Sequence, residues 1–262
     1  MWRSLSSLAR VEWTMVAKSS GGRGCYSLPP SMPDPSQVRA MFARISGRYD
    51  LLNHLLSMGI DRSWRRKTVD AAGDVEGRVV VDACCGTGDL SAAFARRGAR
   101  VIGVDFTPEM LSHAGAKLTR SKHPAIFAHG DALALPLRTA CADVTSVAFG
   151  VRNLSDARAG LAEMARVTKP GGRVLVLEFT TPRGAVLGPA YRLYFTRLLP
   201  TFGRWISKDE EAYMYLPRTV SAWPSPEQFQ RDLESVGLVE CGFRTLTRGI
   251  ACLHWGRVPK AC

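Results

Sequence analysis

Val79-Val-Val-Asp82-Ala-Cys-Cys-Gly86-Thr87-Gly88-Asp89-Leu90 is a strand, a glycine turn and a helix start in twelve residues. Three β-branched apolar residues in a row read as a buried strand, and Gly-Thr-Gly predicts a tight turn into a helix over 90–97. Glycine lets a backbone approach a ligand closely, and the first turn of a helix carries unpaired N–H groups. Further on, Arg100-Val-Ile-Gly-Val-Asp105 is a second buried strand that ends in a carboxylate. In a doubly wound sheet, an acid at the tip of the second strand is where a ribose diol is gripped. Together the two segments read as a nucleoside-cofactor site built on Asp82, Gly86, Thr87, Gly88 and Asp105.

The turn also bears on which cofactor is bound. A dinucleotide fingerprint is G-x-G-x-x-G, and here the third glycine position is Ser91. An S-adenosylmethionine (SAM) site has no pyrophosphate to cradle and needs only the bend and its amides, so SAM is favoured over NAD. Asp82 serves such a site either by fixing the loop or by meeting the methionine ammonium. A plain strand-to-helix turn remains the bland alternative.

At 262 residues, 46% hydrophobic and 22% charged, the chain has the size and composition of one α/β domain with additions. No run reaches the roughly 18 apolar residues that span a bilayer. Its seven cysteines, at 25, 84, 85, 141, 241, 252 and 262, form no C-x-x-C pair, which points to reduced thiols and to no metal site. The net charge of +12 admits a nucleic-acid partner or a surface of anionic lipid. The densest basic knot, Arg62-Ser-Trp-Arg65-Arg66-Lys67, is short, and a solvated surface explains the charge as well.

Residues 1–35 are rich in Ser, Gly, Pro and Arg and hold only Glu12 and Asp34 as acids. They read as a disordered tail, as translation from an early start ahead of Met32, or as a transit peptide. Residues 36–262 read as a single domain. Apolar residues at helical spacing from Val38 to Leu56 predict a helical cap (36–75), with a break at Gly47. Strands at 79–83, 100–105, 125–129, 143–149 and 173–179 alternate with helices from Pro108 to about Arg120 and from an N-cap at Ser155 to Lys169, stopped by Pro170-Gly-Gly172. An aromatic-rich lid insertion (182–223) precedes a helix at 225–236 and strands near 238–245 and 249–257. The alternation predicts an α/β, Rossmann-like, mostly parallel sheet with helices on both faces.

Ligands sit beyond the carboxyl ends of such strands. Besides Asp82 and Asp105, the tips carry Gly130-Asp131-Ala132 and Ala148-Phe149-Gly150-Val151-Arg152-Asn153. Asp131 can accept the adenine amino group while the Ala132 N–H meets a ring nitrogen; read alone, Asp131 is also an ordinary turn acid.

Several of these segments are more specific. Phe149-Gly-Val-Arg152-Asn153, Lys169-Pro-Gly-Gly-Arg-Val-Leu-Val-Leu-Glu-Phe, Arg48-Tyr49-Asp50-Leu-Leu-Asn53 and Gly59-Ile-Asp61-Arg-Ser-Trp64 resemble the C-methyltransferases of quinone biosynthesis. So do Tyr213-Met-Tyr215-Leu-Pro and Leu246-Thr-Arg-Gly249-Ile-Ala-Cys-Leu-His254-Trp-Gly256. The family is the ubiquinone/menaquinone (demethylmenaquinol) methyltransferases, of the class I SAM-dependent fold with a seven-stranded sheet, and the likeness runs from about Val38 to Arg257.

The resemblance implies SAM contacts at Thr87, Asp105, Asp131 and Ala132. It implies C-methylation of a prenylated quinol ring, demethylmenaquinol in the first place and the methoxy-benzoquinol of ubiquinone synthesis as the alternative. Some members carry a serine just before the Phe-Gly-x-Arg-Asn motif; here that position is Ala148. Arg152 is expected to stabilise the developing quinolate directly or through water, because a guanidinium stays protonated and cannot act as a base, with a salt bridge at a strand end as the bland alternative. Asn153 is expected to orient the ring hydroxyl. Tyr49 and His54 lie on the cap and close over the site, His54 as a proton acceptor or as a packing residue. A prenylated substrate lives in the bilayer, so peripheral membrane contact from the cytoplasmic face is expected, or from the mitochondrial matrix if the tail is a transit peptide. A homodimer is compatible with this chain. A nucleic-acid partner is disfavoured, because the fourth strand tip lacks the Asn/Asp-Pro-Pro-aromatic loop of base N-methyltransferases.

Overall fold

Val80 and Val81 are adjacent, fully buried, and belong to different hydrophobic cores. Successive side chains of a strand point to opposite faces, so a run of valines with both faces covered can only be an interior strand. Val174, Leu175 and Val176 divide in the same way. Each fully buried side chain of this kind contributes roughly 1.5–3 kcal/mol.

The computed structural model describes residues 35–57, 59–121, 125–182, 215 and 218–260, with the backbone path alone at 48–56, 120 and 121. Helices α1 (Pro35–Leu56) and α2 (Asp61–Ala72) precede β1 (Val79–Ala83), α3 (Asp89–Ala95), β2 (Arg100–Asp105), α4 (Pro108–Ser121), β3 (Ala125–His129) and β4 (Ala142–Ala148). A 3-10 turn (Val151–Asn153) leads to α5 (Ala157–Val167), β5 (Thr168–Phe179), α6 (Pro226–Ser235), β6 (Val239–Leu246) and β7 (Ala251–Arg257). The seven strands form one sheet in the order β3-β2-β1-β4-β5-β7-β6. All neighbours are parallel except β7, which runs antiparallel to both β5 and β6.

Because β1 pairs with β2 on one side and β4 on the other, the chain reverses its winding there. A crevice must open above the carboxyl ends of β1 and β4, where crossovers diverge to opposite faces. One face is covered by α5 and α6 through Leu161, Met164, Phe229 and Leu233, the other by α2 and α3 through Val69, Leu90 and Phe94. No helix among the described residues is long and apolar enough to cross a membrane.

Three expectations are corrected. Helix α1 runs through Gly47 without a break; that glycine is exposed, and a helix interior tolerates one at a cost of about 1 kcal/mol. The N-cap of α5 is Asp156, whose carboxylate accepts from the Ala159 N–H at 3.0 Å, and not Ser155. Pro170-Gly-Gly172 does not stop a helix but lies within β5. Between the pairs Ala142↔Thr168 and Val144↔Arg173 the register shifts, and the extra residues bulge out of the ladder. The tail before Pro35 and most of the expected lid, including Tyr191, Tyr194, Phe195, Phe202, Trp205 and Tyr213, lie outside the described residues.

Candidate functional site

The turn after β1 is pinned by the acid at the tip of β2. Asp105 accepts the Gly86 N–H at 2.7 Å with one carboxylate oxygen and the Thr107 N–H at 2.8 Å with the other. Burial pushes its carboxyl above the usual range, and these backbone donors act against that shift. Gly88, the N-cap of α3, has φ +80, where a side chain is strained, and a Cβ there would sit 3.0 Å from the Ala114 Cβ on α4. The glycine therefore lets the turn bend and lets α4 pack against it.

Asp82 is 1% exposed, and its carboxylate accepts from the Ser91 hydroxyl at 2.6 Å. This gives the residue at the third fingerprint position a physical reason: a glycine there would remove the hydroxyl donor from a buried acid and leave only the backbone N–H of residue 91. Burial pushes the Asp82 carboxyl up to about 7, with the Ser91 hydrogen bond as the main opposing influence.

The third and fourth tips complete the ring. Asp131 accepts from the Leu133 N–H at 2.9 Å, and the Gly130 N–H donates to the Asp105 carbonyl at 3.0 Å. Phe149 has φ +60, an uncommon conformation for an aromatic residue. It is held there by its ring, which stacks on Phe179 at 4.4 Å and packs against Trp64 at 6.1 Å. Strain retained by dense packing is a mark of functional turns.

Above the tips lies a cleft with about 940 Å³ of unfilled space, counting that open to solvent. Gly86, Asp105, Asp131, Ala132 and Asn153 line it, and α1 closes it from above with Val38 and Phe42. Phe106, 39% exposed, also lines it, stacked on His129 at 6.2 Å and covered by Arg39 of α1 at 5.3 Å. A nucleoside fits what is present: a carboxylate at one strand tip, an acid and an amide at the next, and an exposed ring beside them. A Cβ built on Gly86 would meet nothing within 4 Å, so this backbone faces open space.

The structure therefore brings together five of the sequence-derived site residues and sets others behind the wall. Asp82, Thr87 and Gly88 support the turn and do not line the cleft. Arg152 takes the salt-bridge alternative. Its guanidinium forms a buried ion pair with Glu178, donates to the Phe149 carbonyl at 2.8 Å and sits 5.3 Å over the Phe179 ring, and it does not line the cleft. Burial pushes the Glu178 carboxyl up, and the neighbouring guanidinium pulls it back. Tyr49 and His54 belong to α1, but their side chains lie outside the described residues.

One residue was not singled out from the sequence, and a second, Tyr215, reads there only as one of the lid aromatics that line an apolar entry for a prenylated ring or pack on the sheet. Glu178 ends an otherwise apolar buried strand, a signal of the same kind as Asp105. Tyr215, from the Tyr-x-Tyr-Leu-Pro segment, is 6% exposed and donates its hydroxyl to Asn153 Oδ1 at 2.9 Å.

A seven-stranded sheet of this order, with a glycine turn after β1 and acids at the next two tips, defines the class I SAM-dependent methyltransferase fold. The chain is similar to phosphoethanolamine N-methyltransferase 2 of Haemonchus contortus in complex with S-adenosyl-L-methionine (TM-score 0.57, 14% identity, 75% of this chain and 52% of that one). It is also similar to the [4+2]-cyclase SpnF (TM-score 0.64, 15% identity, 87% and 98%), and at such identities the likeness is one of fold alone.

The chain belongs to the ubiE/COQ5 methyltransferase family, which it matches over residues 32–258. Its relatives include the demethylmenaquinone methyltransferases of Thermus thermophilus, 42% identical over 221 residues (84% of this chain, all of the relative), and of Deinococcus radiodurans, 43% identical over 221 residues (84% and 91%). That of Corynebacterium efficiens is 41% identical over 222 residues (84% and 94%).

Proposed function

We propose that this protein is a SAM-dependent C-methyltransferase that converts demethylmenaquinol to menaquinol. The observation that carries the proposal is a cleft that joins the nucleoside-binding tips to an apolar chamber roofed by α1 and walled by Asn153. The names and coverage of the relatives support the choice of ring.

SAM, when bound, supplies an electrophilic methyl group on a sulfonium. Asp105 would accept hydrogen bonds from the ribose hydroxyls, the Gly86 turn would present backbone to the methionine portion, and Asp131 with the Ala132 N–H would take the adenine edge. Thr87, Gly88 and the Asp82–Ser91 pair hold the turn in shape. The acceptor quinol loses its O–H proton to solvent, and the oxyanion pushes electron density onto the neighbouring ring carbon. With the donor bound, that carbon would take up the methyl group in a new C–C bond, the donor keeping the bonding pair. The ring C–H proton then leaves to water and the oxygen regains one, so the net reaction releases one proton. What the protein contributes is alignment and stabilisation of the oxyanion. Arg152 acts one layer back, by holding the Phe149 carbonyl to which Asn153 is also bonded.

A prenylated acceptor resides in the bilayer, and the net charge of +12 suits peripheral contact with anionic lipid at the cytoplasmic face. The test supplies labelled SAM with reduced demethylmenaquinone and, in parallel, with the methoxy-benzoquinol of ubiquinone synthesis. Label in the naphthoquinol supports the proposal. Label only in the benzoquinol moves the protein to ubiquinone synthesis, and label in neither ends the proposal.

A further inference from the structure

The amide of Asn153 has two chemically different edges, and its surroundings select which one is left for a ligand. The Phe149 carbonyl lies 3.3 Å from the amide nitrogen, Nδ2. A carbonyl oxygen only accepts, so that edge must be the N–H edge. The opposite edge, Oδ1, lies 2.9 Å from the Tyr215 hydroxyl, which must then donate. Turning the amide over would set Oδ1 against the carbonyl and break the bond at that edge. The nitrogen carries two hydrogens, and only one is used by the Phe149 carbonyl. No partner is recorded among the described residues for the second, on a side chain that lines the cleft.

Tyr215 is itself fixed. It is buried in a small apolar cluster with Val38 and Met41 of α1, and meets the Phe42 ring edge-on at 6.4 Å and 87°. Burial pushes its phenol above its ordinary range, so the O–H keeps its proton throughout the neutral range. Tyr215 thus links the roof helix to the turn after β4.

We propose that Tyr215 is a positioning residue that locks Asn153 as a hydrogen-bond donor toward the acceptor's ring oxygen, so that this oxygen is bound as its anion when the methyl group is transferred. This rests on the quinol reading above and deepens it: an N–H stabilises an oxyanion and cannot take up a hydroxyl's hydrogen bond. The charged groups around the amide are the Arg152–Glu178 pair behind it, Arg218 near Tyr215, and Asp105 and Asp131 in the same cleft. Replacing Tyr215 by Phe alters none of them.

Tyr215→Phe keeps the ring packing and removes one hydroxyl. The variant is expected to bind SAM as the parent does in calorimetry, to turn over about tenfold more slowly, and to show the acidic limb of its turnover–pH profile moved up by about one unit, the equivalent of that factor. Asn153→Asp replaces the donor by an acceptor of the same shape and is expected to lose more, with Tyr215→Phe adding nothing on top of it. A probe with one ionisable oxygen, 1-naphthol, separates this inference from the acceptor assignment. Its bound form is expected to ionise at lower pH than the free compound, by less in Tyr215→Phe, read from naphtholate absorbance. Unchanged turnover and an unchanged limb in Tyr215→Phe overturn the inference, as does an equal fall in SAM affinity and thermal stability, or failure of 1-naphthol to bind. If no quinol accepts label while the naphtholate shift is present and depends on Tyr215, the acceptor assignment falls and the donor lock stands.

Discussion

The Arg152 guanidinium and the Glu178 carboxylate are paired at 6% and 0% exposure, directly behind the wall of the cleft. Glu178 also accepts from the Arg152 and Phe179 backbone N–H groups at 3.4 and 2.9 Å, so both charges are held on several sides. The pair props the Phe149 carbonyl, and through it the edge of Asn153.

Removing either partner leaves the other as an unpaired buried charge. Arg152→Ala and Glu178→Ala are each expected to lower the unfolding free energy by about 3–5 kcal/mol, and Arg152→Met combined with Glu178→Leu is expected to recover most of it. Denaturant titration of the three variants checks this. A cost below about 1 kcal/mol for either single truncation would mean that the pair behaves as a surface ion pair.

Asp105 works in two directions, pinning the Gly86 and Thr107 N–H groups and facing the cleft. Asp105→Ala removes charged hydrogen bonds worth about 1.5–3 kcal/mol each, so SAM affinity is expected to fall on the order of 100-fold. Titration calorimetry reads the affinity directly. Binding within a factor of about three of the parent, well under 1 kcal/mol, removes Asp105 from the site.

The parts of this site that were legible in the sequence are those set by the backbone. Strand tips follow from apolar runs that end in glycine or an acid, and β2 and β3 run over the residues read for them, 100–105 and 125–129. What escaped were contacts between distant segments. Nothing in Phe-Gly-Val-Arg-Asn tells which way a guanidinium turns, because the acid that captures it lies 26 residues on, at the end of another strand. Asn153 and Tyr215 are 62 residues apart and meet only once the roof has formed. Pro170-Gly-Gly172 misled for a different reason: these residues break helices and regular strands alike, and only the register across β4 shows that they bulge.

His254 is fully buried between the Phe229 and Phe243 rings, with Nε2 3.1 Å from the Pro226 carbonyl. Its Nδ1 has no partner among the described residues. Burial lowers its pKa from 6.5 to about 4, so the folded protein keeps it neutral at pH values where the unfolded chain takes up a proton. Stability from this group is intact above about 6.5 and is lost as pH falls toward about 4, the window between the two pKa values. By linkage about 2 kcal/mol is expected to go between about pH 7.5 and about pH 5. His254→Gln is expected to be less stable at neutral pH and to close the gap in acid. Parallel urea titrations at the two pH values check it, and a gap that does not narrow contradicts a neutral buried imidazole.

Cys84 lies in the cleft wall at φ +52, and Gly150 sits against it. A Cβ on Gly150 would come 2.5 Å from the Cys84 Cβ and 3.1 Å from its sulfur, with the Val147 side chain at 3.0 Å. Gly150→Ala is therefore expected to cost about 1–3 kcal/mol through overpacking. Cys84→Gly removes the closest clash and also relieves a left-handed non-glycine residue, which alone costs of order 1 kcal/mol. The single variant Cys84→Gly is expected to be at least as stable as the parent, and the double variant to recover most of the Gly150→Ala loss, because neighbours that clash couple non-additively. Melting temperatures of the two single variants and the double variant decide it. Strictly additive losses would show that Gly150 is required for its backbone and not for the space that Cys84 occupies.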